Sequence, residues 1–161
     1  MIKCKICGIS NLKTLNYIVN HPYPPKFIGF ICNYPKSIRH INYKKLATLL
    51  KVKKKNTKFV AVLVNPKINI LEKIKKLNFD YYQLYDVTPE KTKYIKKNYK
   101  KKINSKIKIK KSKDVMLYKK YLNMSEIILF DGKGYEKSVE FNHSLIKNLP
   151  KNFTKMIAGN I

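Results

Sequence analysis

Acidic residues are scarce in this 161-residue sequence, where 9 aspartates and glutamates face 36 lysines and arginines for a formal net charge of +27. Long apolar runs are also missing, since no stretch reaches the ~18 consecutive apolar residues of a membrane-spanning helix, and we expect no membrane insertion. The 3 cysteines are an odd count, and no basic, then apolar leader precedes them. These absences argue against a disulfide-rich secreted protein and favour a cytoplasmic location.

The lysines are spread along the whole chain and do not form one basic segment. Because isoleucine, asparagine and tyrosine are also abundant, the enrichment is typical of a general compositional bias, and we interpret most lysines as solvated surface. A content of 44% hydrophobic residues predicts a folded core. The alternative that the charge leaves open is a basic, non-catalytic domain that binds nucleic acid.

Arginine is almost absent, since Arg39 is the only one in the sequence. A planar guanidinium can bind a carboxylate or phosphate through two parallel hydrogen bonds, which a lysine cannot do. Arg39 is therefore a candidate ligand-binding residue, and the alternative is a surface arginine without a role.

Two of the cysteines, Cys4 and Cys7, form a C-x-x-C pair inside a short apolar run that predicts a strand. No second cysteine pair and no H-x₃₋₅-H spacing accompanies them, so we expect no metal site. The period of a strand places Lys5 and Cys7 on one face and Cys4 and Ile6 on the other. A lysine near a thiol favours the thiolate, which can act as a base or nucleophile. The alternative is that Cys7 is an inert buried residue.

Seven apolar runs of strand length recur roughly 20 to 32 residues apart, which leaves room for one helix between consecutive strands. The intervening segments have helical periodicity and helix-start signals, such as Ser10 or Asn11 before the first and Pro89 in the fourth. The pattern predicts an α/β fold with a parallel sheet, as an open doubly wound sheet or as most of a (β/α)₈ barrel. The runs begin at Ile2, Phe27, Phe59, Tyr81, Ile107, Ile127 and Lys155.

Polar residues cluster where these predicted strands end. In repeated βα units the carboxyl ends of the strands lie on one side of the sheet, where active sites of such folds occur. Cys7, residues 33–39, Gln83 and Asp131 are all expected there. Asp131 would then be an acid opposite a base at Cys7, and the alternative is a loop carboxylate that caps the next segment.

Six short stretches follow one another along the predicted strands: KICGI (5–9), GFICNYPKSIRHI (29–41), VAVLVN (60–65), QL (83–84), LFD (129–131) and AGNI (158–161). In order and spacing they resemble the phosphoribosylanthranilate isomerase family of tryptophan biosynthesis, over residues 2–161. The resemblance implies a (β/α)₈ TIM barrel as a single domain over residues 1–161. That barrel would be incomplete, with about seven strands and six helices and without the last strand and last two helices, as in a fragment or a chain completed in trans.

The resemblance also implies an activity, the conversion of N-(5-phosphoribosyl)anthranilate to 1-(2-carboxyphenylamino)-1-deoxyribulose 5-phosphate by an Amadori rearrangement. It implies no metal and no organic cofactor. The expected partner is a small phosphorylated substrate, without nucleic acid or membrane, and the oligomeric state stays open. A chain that retains the fold but has lost activity is a further alternative.

The same resemblance assigns roles to individual residues. Asp131 would be the general acid that protonates the furanose ring oxygen, and Cys7 the base that removes the C2 proton. This division requires a protonated carboxyl and a thiolate in one pocket. Lys5 would help the thiolate and contact the substrate, and Arg39 would bind the anthranilate carboxylate.

Three further positions, Gln83, Gly159 and Asn160, are expected to bind substrate, the last two at its phosphate. The sequence departs from the family here, because Tyr85 and Asp86 stand where His-Gly is usual and Asn160 stands where a glycine is usual. The loop after Asp131 also lacks the usual glycine-rich stretch. These departures alter the wall after the fourth strand and the phosphate site.

Overall fold

The computed structural model describes residues 2–132 and 141–159. The chain divides into two compact units, Met1–Gln83 and Leu84–Ile161. Strands alternate with helices along both units. The single domain inferred from the sequence therefore stays a prediction.

The first unit contains three strands that pair in parallel and the beginning of a fourth. β1 pairs with β2 so that Cys7 lies opposite Gly29, and β2 pairs with β3. Residues 59–63 of β3 are buried at every position, as expected of a strand covered on both faces. The elements are β1 (Lys5–Cys7), α1 (Leu12–Asn20), β2 (Phe27–Ile31), α2 (Tyr43–Leu49), β3 (Lys58–Val64), α3 (Ile68–Ile74) and β4 (Tyr81–Tyr85).

Asparagine side chains begin the first two helices of this unit. Oδ1 of Asn11 accepts a hydrogen bond of 2.8 Å from the backbone N–H of Thr14, and Asn42 accepts one of 2.9 Å from that of Lys45. These bonds satisfy N–H groups that the first turn leaves without partners. Asn11, one of the two predicted caps, is confirmed. The buried face of α1 consists of Leu15, Ile18 and Val19.

The second unit continues β4 and contains three further strands in parallel ladders, β5 with β6 and β6 with β7. Thr88 caps α4. Pro89 occupies the first turn of this helix, where it was predicted. The elements are α4 (Pro89–Tyr99), β5 (Lys102–Lys108), a 3₁₀ helix (Ser112–Lys120), β6 (Ile127–Asp131), a second 3₁₀ helix (His143–Ile146) and β7 (Thr154–Ala158).

The two faces of β5 and β6 differ in chemistry. One face packs against the 3₁₀ helices in an apolar cluster that includes Ile107, Ile128 and Phe130 from the strands. Because successive side chains of a strand point to opposite faces, Lys106 and Asp131 lie on the other face. This alternation separates the core of the unit from its titratable side chains.

Two details of the sequence interpretation are wrong. Cys4 was expected inside the first strand, but β1 begins at Lys5 and Cys4 is exposed. The fifth strand was expected to begin at Ile107, but it begins at Lys102. Apolar runs alone do not indicate the first half of this strand, because Asn104 and Ser105 are buried there although neither is apolar.

The four ladders within the units are all parallel. The seven strands of the described residues alternate with four α-helices and two 3₁₀ helices. The α/β fold class is therefore confirmed. None of the helices in residues 2–132 and 141–159 has the length and apolar character needed to cross a membrane.

Candidate active site

At the carboxyl end of β1, Lys5 and Cys7 converge over a glycine of the neighbouring strand. A Cβ atom built on Gly29 would lie 2.9 Å from Cys7 Sγ and 2.9 Å from Lys5 Nζ. The thiol and the ammonium are therefore no further apart than about twice that distance, and both occupy the space that any larger side chain at position 29 would fill. Both residues are half-buried.

Arg39 extends from the loop after β2 to the same place. Its Nη1 donates a hydrogen bond of 3.3 Å to the carbonyl oxygen of Cys7. Its Cδ would lie 2.6 Å from a Cβ on Gly8, which has a φ of +85° and so favours glycine. The absence of a side chain at Gly8 thus allows Arg39 to lie against the end of β1. Arg39 is exposed and accessible to a ligand.

The third cysteine of this unit has a different environment. The Cys32 thiol donates a hydrogen bond of 3.2 Å to the carbonyl oxygen of Phe30. Burial raises the pKa of the Cys32 thiol well above its ordinary value. Because only the thiolate is reactive, Cys32 is not a candidate base.

Gln83 is buried in the middle of β4, not at the strand end where it was expected. By alternation it shares a face with Tyr81, whose ring contacts Phe27 edge-to-face at 5.4 Å. Phe27 is the residue of β2 paired with Lys5. Gln83 therefore lies on the face of the first unit that carries Lys5, two residues before the end of its strand.

In the second unit, Asp131 is the last residue of β6 and lies close to a buried lysine. Its Oδ2 is 3.9 Å from Lys106 Nζ, and the two side chains are 11% and 2% exposed. Burial lowers the pKa of the Lys106 ammonium, while the charges of Asp131 and Asp86 raise it. The Lys106 ammonium also lies 4.9 Å from the centre of the Tyr85 ring.

Gly159 follows β7 directly, is buried and has a φ of +102°. Its neighbour Ala158 pairs with Asp131 across the β6–β7 ladder. Asn160, the other expected phosphate-binding residue, lies outside the described residues. Among the described residues, no group of three or more His, Cys, Asp or Glu side chains could hold a metal ion.

The structure thus brings Lys5, Cys7 and Arg39 together in the first unit. In the second unit it brings Asp131 together with Lys106, which the sequence interpretation did not name. The role of Gly29 was also missed, although a glycine inside an apolar strand is a signal of close approach by other groups. Lys106 gave a weaker signal, because its strand was predicted to begin one residue after it.

Parallel strands that alternate with helices and carry titratable side chains at their carboxyl ends are the arrangement of an α/β enzyme. Comparison with known proteins agrees. The family model of N-(5'-phosphoribosyl)anthranilate (PRA) isomerase matches residues 4–161. Because this match spans nearly the whole sequence, the chain belongs to that family. Its activity is that of an isomerase acting on a phosphorylated small molecule in tryptophan biosynthesis, which confirms the resemblance inferred from the sequence.

Individual relatives support the assignment. The N-(5'-phosphoribosyl)anthranilate isomerase of Caldanaerobacter subterraneus subsp. tengcongensis is 29% identical over 174 residues, which cover 100% of this chain and 78% of that protein. A crystal structure of monomers of the dimeric phosphoribosylanthranilate isomerase from Thermotoga maritima matches with a TM-score of 0.79 at 25% identity, over 100% of this chain and 77% of that one.

A further structure of a phosphoribosyl anthranilate isomerase is in complex with reduced 1-(o-carboxyphenylamino)-1-deoxyribulose 5-phosphate. It has a TM-score of 0.79 at 22% identity and covers 100% of this chain and 77% of that one. At 22% identity this similarity shows a shared fold and nothing more specific.

Proposed function

We propose that this chain isomerises N-(5'-phosphoribosyl)anthranilate by an Amadori rearrangement in which Asp131 is the general acid and Cys7 the general base. The product is 1-(2-carboxyphenylamino)-1-deoxyribulose 5-phosphate. The observation that carries the proposal is the convergence of the Cys7 thiol and the Lys5 ammonium over Gly29. A strand end that holds a thiol beside a cation is suited to proton removal.

The reaction consists of proton transfers and needs no external electron acceptor. Asp131 gives its proton to the furanose ring oxygen, the ring C–O bond breaks, and the nitrogen lone pair forms a C=N bond to C1. The Cys7 thiolate then removes the proton from C2, and the C–H electrons form the C1–C2 double bond of an enolamine. Tautomerisation of the enolamine gives the ketone at C2, so no atom is gained or lost overall.

Lys5 and Arg39 act beside the base in this scheme. The Lys5 ammonium stabilises negative charge on the Cys7 sulfur, because both groups occupy the space over Gly29. Arg39 binds the anthranilate carboxylate through its guanidinium fork. Support for this role comes from its hydrogen bond to the Cys7 carbonyl, which holds the exposed arginine beside the base.

Gln83, Gly159 and Asn160 bind substrate in the proposal. Gln83 offers a buried amide on the face of β4 that it shares with Tyr81. Gly159 has no side chain to block the approach of a phosphate to the backbone after β7, where its neighbour pairs with Asp131. Asn160, which lies outside the described residues, is assigned to the phosphate on the family resemblance alone.

The finer features of the fold and setting belong to the same proposal. The strands are those of a (β/α)₈ barrel, of which this sequence supplies about seven strands and six helical connections, as inferred from the sequence. The enzyme acts in the cytoplasm on its small phosphorylated substrate, without a metal, an organic cofactor or a nucleic acid. Parallel ladders and the match to isomerase structures support the barrel.

The test is the loss of anthranilate-type fluorescence when freshly generated phosphoribosylanthranilate is mixed with the purified chain. Replacing Cys7 or Asp131 by Ala should lower turnover by about 10²- to 10⁴-fold, the usual contribution of a general acid or base. Cys4→Ala is the matched control, since this free cysteine is exposed and precedes β1.

Full activity of Cys7→Ala or Asp131→Ala would remove that residue from its role. Absence of turnover in the folded wild-type chain, together with strongly salt-dependent binding to generic DNA, would instead favour the nucleic-acid-binding alternative.

A further inference from the structure

Lys106 is buried to an extent that lysines seldom are without a partner. Its side chain is 2% exposed, and it lies inside β5 on the face opposite the apolar cluster of Ile107 and Phe130. Burial of the aliphatic stem cannot by itself explain this position, because the ammonium at its end loses its hydration and that loss costs free energy. The groups around the ammonium must therefore account for its burial.

Those groups come from β6, from the end of β4 and from β5 itself. Asp131 of β6 places Oδ2 3.9 Å from Lys106 Nζ. The Tyr85 ring at the end of β4 lies beneath the ammonium, with its centre 4.9 Å away. Asp86 adds a second negative charge, and Lys108 of β5 adds a positive charge that opposes it.

The 3.9 Å separation is too long for a direct hydrogen bond, so Lys106 and Asp131 interact through their charges. Two unit charges at this distance interact far more strongly in a buried site than in water. The parallel register pairs Lys106 with Leu129 and Lys108 with Asp131. Lys106 is thus the diagonal neighbour of Asp131 across the β5–β6 ladder. Lys108 is the direct neighbour of Asp131 and is half-buried.

We propose that Lys106 is a positioning residue, which fixes the orientation of the Asp131 carboxyl and sets its charge, and that contact with the Tyr85 ring holds Lys106 in place. This inference rests on the proposed role of Asp131 as the proton donor. Lys106 acts through Asp131 and does not itself contact the substrate.

The chemistry gives this arrangement a purpose. When Asp131 transfers its proton to the ring oxygen, a carboxylate remains in a buried place, and the ammonium 3.9 Å away stabilises it. Burial lowers the pKa of Lys106, while the negative charges of Asp131 and Asp86 raise it, so a carboxylate at Asp131 favours the ammonium form of Lys106.

The same arrangement explains the pair Tyr85–Asp86. These residues stand where the family resemblance leads one to expect His-Gly. An aromatic face and a carboxylate both attract an ammonium, and a cation over a ring is stabilised most when it is shielded from water. Tyr85 therefore forms one set with Lys106, and the negative charge of Asp86 favours the same ammonium. In this chain the wall after β4 is built to hold a cation.

The direct test is a pH titration of the Asp131 carboxyl by NMR on the full chain labelled with [γ-¹³C]aspartate. The chain has few aspartates, and Asp131→Asn identifies the signal. Removing the cation with Lys106→Met should raise the titration midpoint of Asp131 by about 1–3 pH units, the usual effect of an opposite charge at this distance. Lys106→Arg, which keeps the charge, should restore most of the wild-type midpoint.

Lys155→Met is the matched control for loss of a lysine. Lys155 lies in β7, and its ammonium contacts the Phe153 ring and the carbonyl oxygens of Leu149 and Pro150. Its removal should leave the Asp131 midpoint unchanged. If Lys106→Met fails to give the circular dichroism of the folded chain, Tyr85→Leu replaces it, and should shift the midpoint in the same direction by a smaller amount.

Activity provides the second readout. A general acid is lost as pH rises through its pKa, so Lys106→Met should move the alkaline limb of kcat/KM to higher pH by the same interval while lowering the maximum. An unshifted Asp131 midpoint in Lys106→Met, or in Tyr85→Leu where that variant replaces it, would overturn the inference. A shifted midpoint in a chain without isomerase activity would keep the coupling of Lys106 to Asp131 but refute the proposed function.

Discussion

In the unit Met1–Gln83 the cation beside the reactive group comes from the same strand, whereas in the unit Leu84–Ile161 it comes from the neighbouring strand. Lys5 precedes Cys7 by two residues in β1, and both lie over Gly29. Lys106 belongs to β5 and Asp131 to β6. The first pair depends on local alternation and on the space above one glycine, and the second depends on strand register.

The two pairs also differ in their contact with water. Lys5 is half-buried, so solvent and salt weaken its effect on the thiol. The Lys106 side chain is 2% exposed, and its charge acts through a medium that screens it less. We call Lys5 and Cys7 the thiol side, and Lys106 and Asp131 the carboxyl side. Changes of geometry should therefore disturb the thiol side most, and changes of charge should disturb the carboxyl side most.

The largest effect expected from this comparison is that of Gly29→Ala. A Cβ at this position would lie 2.9 Å from both Cys7 Sγ and Lys5 Nζ, so both atoms must move although the backbone can stay. A displacement of about 1 Å at a reacting group can cost about 100-fold in rate. We expect kcat/KM to fall by about that factor in the fluorescence assay.

Ala61→Gly is the matched control for Gly29→Ala. It removes one methyl group from β3 opposite Phe30, on the face of the sheet away from Cys7. It should lower thermal stability and leave kcat/KM near the wild-type value. Wild-type kcat/KM in Gly29→Ala would show that the thiol side is no more sensitive to geometry than the carboxyl side.

A smaller effect is expected from Arg39→Lys, which keeps the charge and removes the fork. Loss of a charge-assisted hydrogen bond costs about 1.5–3 kcal/mol, so KM should rise about tenfold or more with little change in kcat. Initial rates over a range of substrate concentrations separate the two constants. Lys36→Arg, at an exposed residue of the same loop, controls for a general effect of exchanging one cation for the other. An unchanged KM in Arg39→Lys would remove Arg39 from the substrate site.

The smallest expected effect is the pH dependence of the free energy of unfolding that arises from Lys106, on the carboxyl side. Because the pKa of Lys106 is lowered in the folded chain, the unfolded chain binds more protons between that value and the ordinary lysine pKa of about 10.4. The contribution of Lys106 to stability therefore rises with pH in this interval. Thermal unfolding midpoints should rise more steeply with pH for the wild type than for Lys106→Met. Parallel curves for the two proteins would contradict this prediction, and Lys155→Met should behave as the wild type.

The comparison also explains how much of the site could be predicted from the sequence. Alternation within β1 is a local property, so the placement of Lys5 and Cys7 on one face was correct. The position of Asp131 at a strand end was also correct, because an apolar run directly before a carboxylate marks that end. Arg39 lies beside Cys7. It was predicted as a ligand-binding residue because it is the only arginine in the sequence.

The rest depended on contacts between strands, which local patterns do not contain. The approach of Lys106 to Asp131 requires the register of β5 against β6, and the first half of β5 is too polar to be recognised as a strand. Gln83 was expected at a strand end, but its strand continues for two more residues. Cys4 was expected in β1, but the strand pairs with β2 only from Lys5 onward.

The loop glycine Gly8 and the strand glycine Gly29 leave space that the site fills with Arg39, Cys7 and Lys5. The whole chain holds only 5 glycines, and the other three are at positions 132, 134 and 159. Gly8 follows β1, Gly29 lies inside β2 and Gly159 follows β7, so these three glycines stand in or directly after a strand. Gly8 and Gly29 are thus as much a part of the candidate site as the side chains that fill the space above them.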